Sequence, residues 1–249
     1  MSEGKDRTIR DETFRVRAYE AGPDGMARPD VLCNYLQEAA ANHAALLGVS
    51  GEALAGMNLT WVLSRLVIEI EQFPAWQDTV QVRTWPAGLQ GIFAIRDFEL
   101  TASSGAVARA TTAWFLIDTA RRRPARLPEQ VTGIQLPERA RSLVDDFSRL
   151  PPVEDDGVRM PLVAAPSDMD LNQHVNHVRY LAWMLDSMES DWLDRHRLRR
   201  LQIQFRSESR AGDALVVRSA ARSEFGWAHE VLNESGQGLS QAHSEWLPR

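Results

Sequence analysis

The sequence predicts an α+β protein built from two copies of one unit, each running strand, helix, antiparallel meander. Three observations carry that expectation. From Leu59 to Ile117 the chain is a series of short apolar-alternating runs separated by turns, the pattern of strands that pair with their sequence neighbours. Apolar residues recur at helical spacing before that meander, over Pro29–Leu47, and again from Asn176. After a charged, Pro-rich stretch over 121–156 the same order of elements starts again, and a helix laid on a broad sheet is a layer pair able to bury a core.

Residues 1–12 are charged and lack the apolar core of a signal segment, so they read as a disordered tail on a cytoplasmic protein. Phe14–Tyr19 alternates apolar and charged residues and reads as the first strand, broken by Gly22-Pro23-Asp24-Gly25. The first helix presents Val31, Leu32, Tyr35, Leu36, Ala39, Ala40, His43 and Leu47 on one wide face, with Gly48 placed to end it. In the meander, Leu66, Ile68 and Ile70 alternate with Val67, Glu69 and Glu71, and Phe73-Pro74 turns the chain into Val80–Trp85. Gly88 and Gly91 flank the next turn, and Phe93–Ala102 and Ala106–Ile117 follow. The stretch 121–156, with Pro124, Pro128, Pro137, Pro151 and Pro152, reads as a crossing linker holding one short helix near Leu143–Leu150. The second copy opens with a strand near Val158–Val163 and, after the helix, has strands from Leu201, Ala214, Trp227 and Leu239. In letters, LVIEIEQFPAWQDTVQV near Leu66 matches LQIQFRSESRAGDALVV near Leu201, with Asp78 over Asp213, and Tyr35-Leu36 falls on Tyr180-Leu181.

Composition narrows the function classes. With 44% hydrophobic and 25% charged residues in 249, the chain has the make-up of a globular protein, and no apolar run approaches the ~20 residues of a membrane span. A net charge of −6 argues against general nucleic-acid binding, which needs a basic surface. A single cysteine, Cys33, excludes an intrachain disulfide and a Cys-based metal cluster and reads as a buried thiol. Basic residues gather at Arg121, Arg122, Arg123 and Arg126 and at Arg195, Arg197, Arg199 and Arg200, either as solvated loops or as a surface that steers an acidic partner.

The polar constellation is Asp170, Asn172 and His174, at alternate positions just before the second helix. An extended backbone would point all three the same way, at the mouth of an apolar helix. His174 can change charge near neutral pH. In the repeat register Glu208 stands over Phe73, a carboxylate replacing an apolar residue at a strand end. Alternation groups Glu208 with Gln202, Gln204 and Arg206, off the apolar face, unless a bulge over Arg206–Ser209 re-aims it. Each residue alone has an ordinary role as cap, turn former or edge charge, and spacing by itself leaves only a polar site. Asp170 and His174 make too few ligands for zinc, and no Gly-rich phosphate loop or G-x-S-x-G elbow is present, so no metal or cofactor is expected. His43 and Asn42 read as core and packing residues of the first helix.

DMDLNQHVNHVRYLAWML resembles the signature of the acyl-acyl-carrier-protein thioesterases of plants and bacteria, and RSESR resembles the same family's Arg-Arg-Glu-Cys segment. FRVRAYEAGPDGMARPDVLCNYLQEAAANHA, LTWVLSRLVIEIEQFPAWQDTVQVRTW and RRRPARLPEQV extend the similarity over about Phe14 to Trp246. The resemblance implies two tandem hotdog domains, an N-terminal one over 13–120 holding the acyl chain and a C-terminal one over 157–249 holding the catalytic residues. It implies hydrolysis of fatty acyl-acyl carrier protein thioesters, with release of free fatty acid and an end to chain elongation. The partner implied is acyl carrier protein bearing a fatty acyl-phosphopantetheine, with no nucleic acid and no membrane span, and a homodimer left open.

Asp170, Asn172, His174 and Glu208 fall on the family's catalytic positions; the resemblance also places an acyl tunnel in the first hotdog, for whose walls Met57, Trp61, Leu63 and Leu66 are candidates, with plain core residues as the alternative. Ser209 stands where plant members carry Cys. Serine is a poor nucleophile without an adjacent base, so the expected mechanism is attack by water. In it Glu208 and Asp170 manage the proton and the water, His174 polarises or protonates, and Asn172 holds water or the developing oxyanion. The rival readings are an acyl-coenzyme A thioesterase, a non-catalytic acyl-binding hotdog protein and, more remotely, a hotdog dehydratase.

Overall fold

A computed structural model describes residues 7–150, 152–153 and 157–249. The chain divides into two compact units. The first takes in the described residues up to Ser64 together with Ile70–Asp145, and the second Arg65–Glu69 together with the described residues from Asp146.

In the first unit β1 (Arg10–Arg15) leads to α1 (Pro29–Leu46), a short α2 (Gly51–Ala55), and the strands β2 (Leu59–Ile70), β3 (Thr79–Gln90), β4 (Phe93–Ala102) and β5 (Gly105–Asp118). The strand order is β1-β3-β4-β5-β2, and β6 (Arg123–Ala125) pairs with β5. Helix α1 starts on Pro29, whose missing N–H is one the first turn would leave unused. It packs on β3 and β1 with Val31, Leu32, Tyr35, Leu36, Ala39, Ala40 and His43 buried. Gly48, at φ 73, ends it, its N–H bonding to Ala45 O. Leu36→Ala at this face would cost about 2–5 kcal/mol. Cys33 is buried too, and its thiol is pushed up to about 12 by desolvation, so it is inert.

In the second unit β7 (Val158–Val163) leads to α4 (His177–Asp186), α5 (Ser190–Arg195) and the strands β8 (His196–Phe205), β9 (Ala214–Ser223), β10 (Gly226–Asn233) and β11 (Gly238–Pro248). The order is β8-β11-β10-β9-β7, all antiparallel, and residues 65–69 of β2 pair with β8. Ten residues make a helix that is marginal alone, so α4 leans on its packing against β9 and β10 and on its cap, the Asn176 carboxamide, which accepts from Val178 N at 3.0 Å.

The duplication shows in the main chain. Val16 N–H donates to Asp78 O at 3.0 Å as Ala164 N–H donates to Asp213 O at 3.0 Å, and Ala27 N–H reaches Pro74 O at 2.8 Å as Val175 N–H reaches Ser209 O at 2.9 Å. Asp78 and Asp213 are therefore true counterparts, and so are Phe73 and Glu208. The match of Tyr35 to Tyr180 does not hold: counted from the helix caps Arg28 and Asn176, Tyr35 lies three residues further along its helix.

Three local expectations are corrected. The first strand covers Arg10–Arg15 rather than Phe14–Tyr19, so residues 10–12 of the expected tail are paired with β3; residues 1–6 lie outside the described ones. Val16 leaves the ladder to bond with Asp78 and Gln77 instead. The stretch expected to be a crossing linker carries β6 and α3 (Glu129–Thr132), and Arg141 and Ser142 are tied into the first unit by the buried Asp97, which also accepts from the Thr111 hydroxyl. Leu143–Leu150 is not a helix. Phe147 sits at φ 52, left-handed backbone, and Ser148 N–H is taken by the Asp146 side chain.

Candidate active site

The backbone of residues 169–175 is a closed turn, not the extended segment that alternation suggested. Met169 bridges Val175, Asp170 N–H donates to His174 O at 2.8 Å, and Gln173 N–H donates to Asp170 O at 3.1 Å with Gln173 at φ 62. Closure uses one oxygen of Asp170: Oδ1 accepts from Asn172 N at 2.8 Å and from His174 N at 3.3 Å. Among the described residues Asp170 Oδ2 takes no hydrogen bond.

Asp168, missed in the sequence reading, anchors this turn to the helix behind it. Its buried carboxylate accepts from Arg179 Nε at 2.6 Å and from Ala165 N at 2.8 Å, while Asp168 O accepts from Asn176 N at 2.9 Å. The signal was available as an acid two residues before Asp170, but a lone Asp ahead of a helix is usually a cap or turn former.

Glu208 reaches the turn because β8 stops at Phe205. Arg206 N–H and Ser207 N–H both converge on Leu239 O, at 2.8 and 3.2 Å, an irregularity that breaks the alternation. The chain beyond is re-aimed, and Glu208 Oε2 comes to 3.1 Å from His174 Nε2. Their side chains are 49% and 25% exposed, so the pair is open to an incoming molecule.

His177, the first residue of α4, lies edge-on to Phe205 with ring centroids 5.7 Å apart. Desolvation pushes its imidazole down to about 4, opposed in part by the charge of Asp170, so it is neutral near pH 7. Sequence reasoning missed it, because a histidine inside an apolar helix pattern carries no signal of its own. Asn172 is exposed and contributes only its N–H to the turn among the described residues.

The structure thus joins His174 with Glu208 directly and Asp170 with His174 through the main chain, and among the described residues the Asn172 side chain makes no hydrogen bond. Ser209 is 2% exposed, its Oγ 2.8 Å from the Tyr180 hydroxyl and its carbonyl bonded to Val175 N.

Of the four tunnel candidates, Met57, Trp61 and Leu63 belong to the first unit and Leu66 to the second. Met57, 42% exposed, fronts an open cavity of about 820 Å³ with Arg7, Leu47, Pro128 and Ile134. The Trp61 indole N–H bonds Val49 O at 2.8 Å, and Leu63 is buried. Leu66 belongs to the second unit, where it pairs with Ile203.

The counterpart of this turn in the first unit is residues 22–26. Gly22 N–H donates to Met26 O at 2.8 Å and Gly25 N–H to Gly22 O at 2.9 Å, the same two bonds, with Gly25 at φ 76. Met26 stands where His174 does, and Phe73 where Glu208 does.

A helix packed on an antiparallel sheet, present twice with one copy carrying the polar cluster, defines a tandem hotdog protein. The family model of the N-terminal domain of acyl-ACP thioesterases matches residues 8–134, and that of the C-terminal domain matches residues 156–248. The chain belongs to the acyl-ACP thioesterase family. Among its relatives, a chloroplastic palmitoyl-acyl carrier protein thioesterase from Gossypium hirsutum is 30% identical over 98% of this chain and 65% of its own length. The chain spans between half and two thirds of the length of the first curated relatives it matches. Two solved structures superpose with TM-score 0.88: an acyl-ACP thioesterase from Bacteroides thetaiotaomicron, 27% identical, covering 96% of this chain and 98% of that one, and the 12:0-ACP thioesterase from Umbellularia californica, 26% identical, covering 97% and 98%.

Proposed function

We propose that the protein hydrolyses the thioester of fatty acyl groups carried by acyl carrier protein, releasing the free acid and the carrier thiol. The observation that carries the reading is the 3.1 Å contact between His174 Nε2 and Glu208 Oε2. It occurs in the copy whose sister has Met26 and Phe73, so the polar pair is not a requirement of the fold.

In this reading Glu208, oriented by His174, accepts a proton from a water molecule as the water oxygen bonds to the thioester carbonyl carbon. The carbonyl becomes an oxyanion, and the Asn172 carboxamide, which the turn leaves unspent, is the donor presented to it. The oxyanion collapses, the carbon–sulfur bond breaks, and the proton taken from water passes through the His174–Glu208 pair to the leaving sulfur. Asp170 fixes the turn with Oδ1 and offers Oδ2 to the water. No acyl-enzyme is needed, which fits the burial of Ser209.

An acidic carrier protein suits the exposed arginines at 121, 122, 123 and 126, of which Arg121 also pairs with Asp118 at 3.5 Å, better than the second cluster. Arg200 is committed to Glu69 and Arg195 to Asp191 O. No helix among the described residues is long and apolar enough to cross a membrane.

The test is release of free acid from acyl-ACP and from acyl-CoA of the same chain length, for the parent and for Glu208→Gln. Fast turnover of the ACP-borne substrate, lost in the variant, supports the proposal. Preference for the CoA-borne substrate would move the assignment to an acyl-CoA thioesterase, and no turnover of either would leave an acyl-binding protein.

A further inference from the structure

Glu208 sits in a segment without a sheet ladder, between the end of β8 at Phe205 and the start of β9 at Ala214. On the upstream side it is tethered by the two N–H groups that meet on Leu239 O. On the downstream side the next residue, Ser209, is held twice: its carbonyl by Val175 N–H and its hydroxyl by Tyr180, both contacts buried.

The sister segment shows which of those two holds the fold requires. Pro74 stands at the place of Ser209, and its carbonyl accepts from Ala27 N–H at 2.8 Å as Ser209 O accepts from Val175 N–H. The main-chain bond therefore forms without any side-chain hydroxyl. Proline cannot make the second hold, and its neighbour Phe73 has no carboxylate to aim. The hydroxyl pair is present only in the copy where a carboxylate stands against a histidine, Glu208 Oε2 at 3.1 Å from His174 Nε2.

Tyr180 is a fixed point. Its ring lies between Phe205 and Trp183, with centroids 6.0 and 5.5 Å away, on a helix whose start is set by Asn176 and Asp168. His174 precedes that same helix. We infer that Tyr180 and Ser209 form a clasp that positions Glu208 against His174, by referring both catalytic side chains to one rigid element, α4. Ser209 is accordingly a positioning residue rather than a nucleophile. Desolvation holds the Tyr180 phenol above its ordinary value, so it stays a neutral hydroxyl over the working range.

The inference rests on the proposed roles of Glu208 and His174, and the experiment separates the two. Steady-state kinetics on acyl-ACP are measured for Ser209→Ala, Tyr180→Phe, the double variant and each change in a Glu208→Gln background, with thermal unfolding alongside. A carboxylate displaced by a fraction of an ångström loses turnover rather than binding, so each single variant is expected to lower kcat about tenfold with KM within about twofold. The double variant is expected to be no slower than either single one, since both break the same contact. In the Glu208→Gln background neither change slows the residual rate further. Ser209→Cys, which restores a weak donor and acceptor, recovers part of the loss.

Parental kcat in Ser209→Ala, multiplicative losses in the double variant, or a fall in unfolding temperature with unchanged kcat would each overturn the clasp. So would an acyl group trapped on Ser209. If Glu208→Gln itself turns over at the parental rate, the assignment of the site is what fails, and the clasp falls with it.

Discussion

The turns at residues 22–26 and 170–174 share their main-chain bonds and differ in every side chain. Both have a tight cross-strand N–H to C=O contact and a left-handed residue at the fourth position, Gly25 in one and Gln173 in the other. The first is closed by Asp24, whose side chain accepts from Met26 N at 3.0 Å; the second by Asp170, which accepts from both Asn172 N and His174 N. With Gly at position 22 the first turn has no carboxylate at the place of Asp170, and Met26 and Phe73 replace the titratable pair. Backbone hydrogen bonds set the shape of the turn, and the outward side chains are left free to diverge. Gln173 holds its left-handed conformation at a cost of about 1–2 kcal/mol that Gly25 does not incur.

The largest effect is expected from making the second copy like the first. His174→Met with Glu208→Phe, the residues of the sister turn and strand end, should remove turnover by at least about a hundredfold, the contribution of a positioned acid–base pair, while circular dichroism stays parental. Retained turnover would show that the difference between the turns is not the catalytic one. Asp170→Ala, which leaves the Asn172 and His174 amides without their acceptor, should lower kcat by about tenfold or more and also reduce stability by roughly 1–3 kcal/mol in urea unfolding.

Charge reversal at Arg121–Arg123 should raise KM for acyl-ACP several-fold, leave KM for acyl-CoA unchanged, and lose its effect as salt is raised. An equal effect on both substrates would remove these arginines as a carrier surface.

The two units should also part company in acid. His229 is buried, bonded to Ser219 and Ser244, and desolvation pushes it down to about 3; His177 stands at about 4, and both lie in the second unit. Each is neutral in the folded protein while the unfolded chain binds a proton near pH 6.5, so stability is full above that value. It falls by about 1.4 kcal/mol per unit and per group as pH drops towards the folded values. Hydrogen exchange at pH 5 should show β9 and β10 opening more readily than at pH 7, and an unchanged pattern would contradict a buried, neutral His229. The smallest expected effect is Gln173→Gly, a gain of about 1 kcal/mol in unfolding free energy as the second turn acquires the residue type of the first.

Much of this was legible in the sequence. Apolar spacing located α1 and α4, and Gly48 marked the end of the first helix, because the 3.6-residue period and the left-handed cap are local properties. Asp78 over Asp213 gave the repeat register that set Glu208 over Phe73, and the main-chain bonds bear that register out. The Tyr35–Tyr180 match failed because letters alone cannot say how far a residue lies from its helix cap. Alternation also misjudged Asp170, Asn172 and His174 as an extended trio, since the turn depends on an Asp side chain bonding its own backbone, which period-two reasoning does not contain.

By itself the sequence determined which residue types stand before α4 and at 208, where the helices run, and that the unit occurs twice, all of which depend on neighbours along the chain. Only the tertiary structure decided that β8 stops at Phe205, that Glu208 turns to meet His174, and that Ser209 is engaged by Tyr180. Those outcomes depend on Leu239 O, Val175 N–H and a phenol 29 residues upstream arriving at one place. Contacts between distant residues are fixed by how the sheet and helix pack, and no local pattern records them.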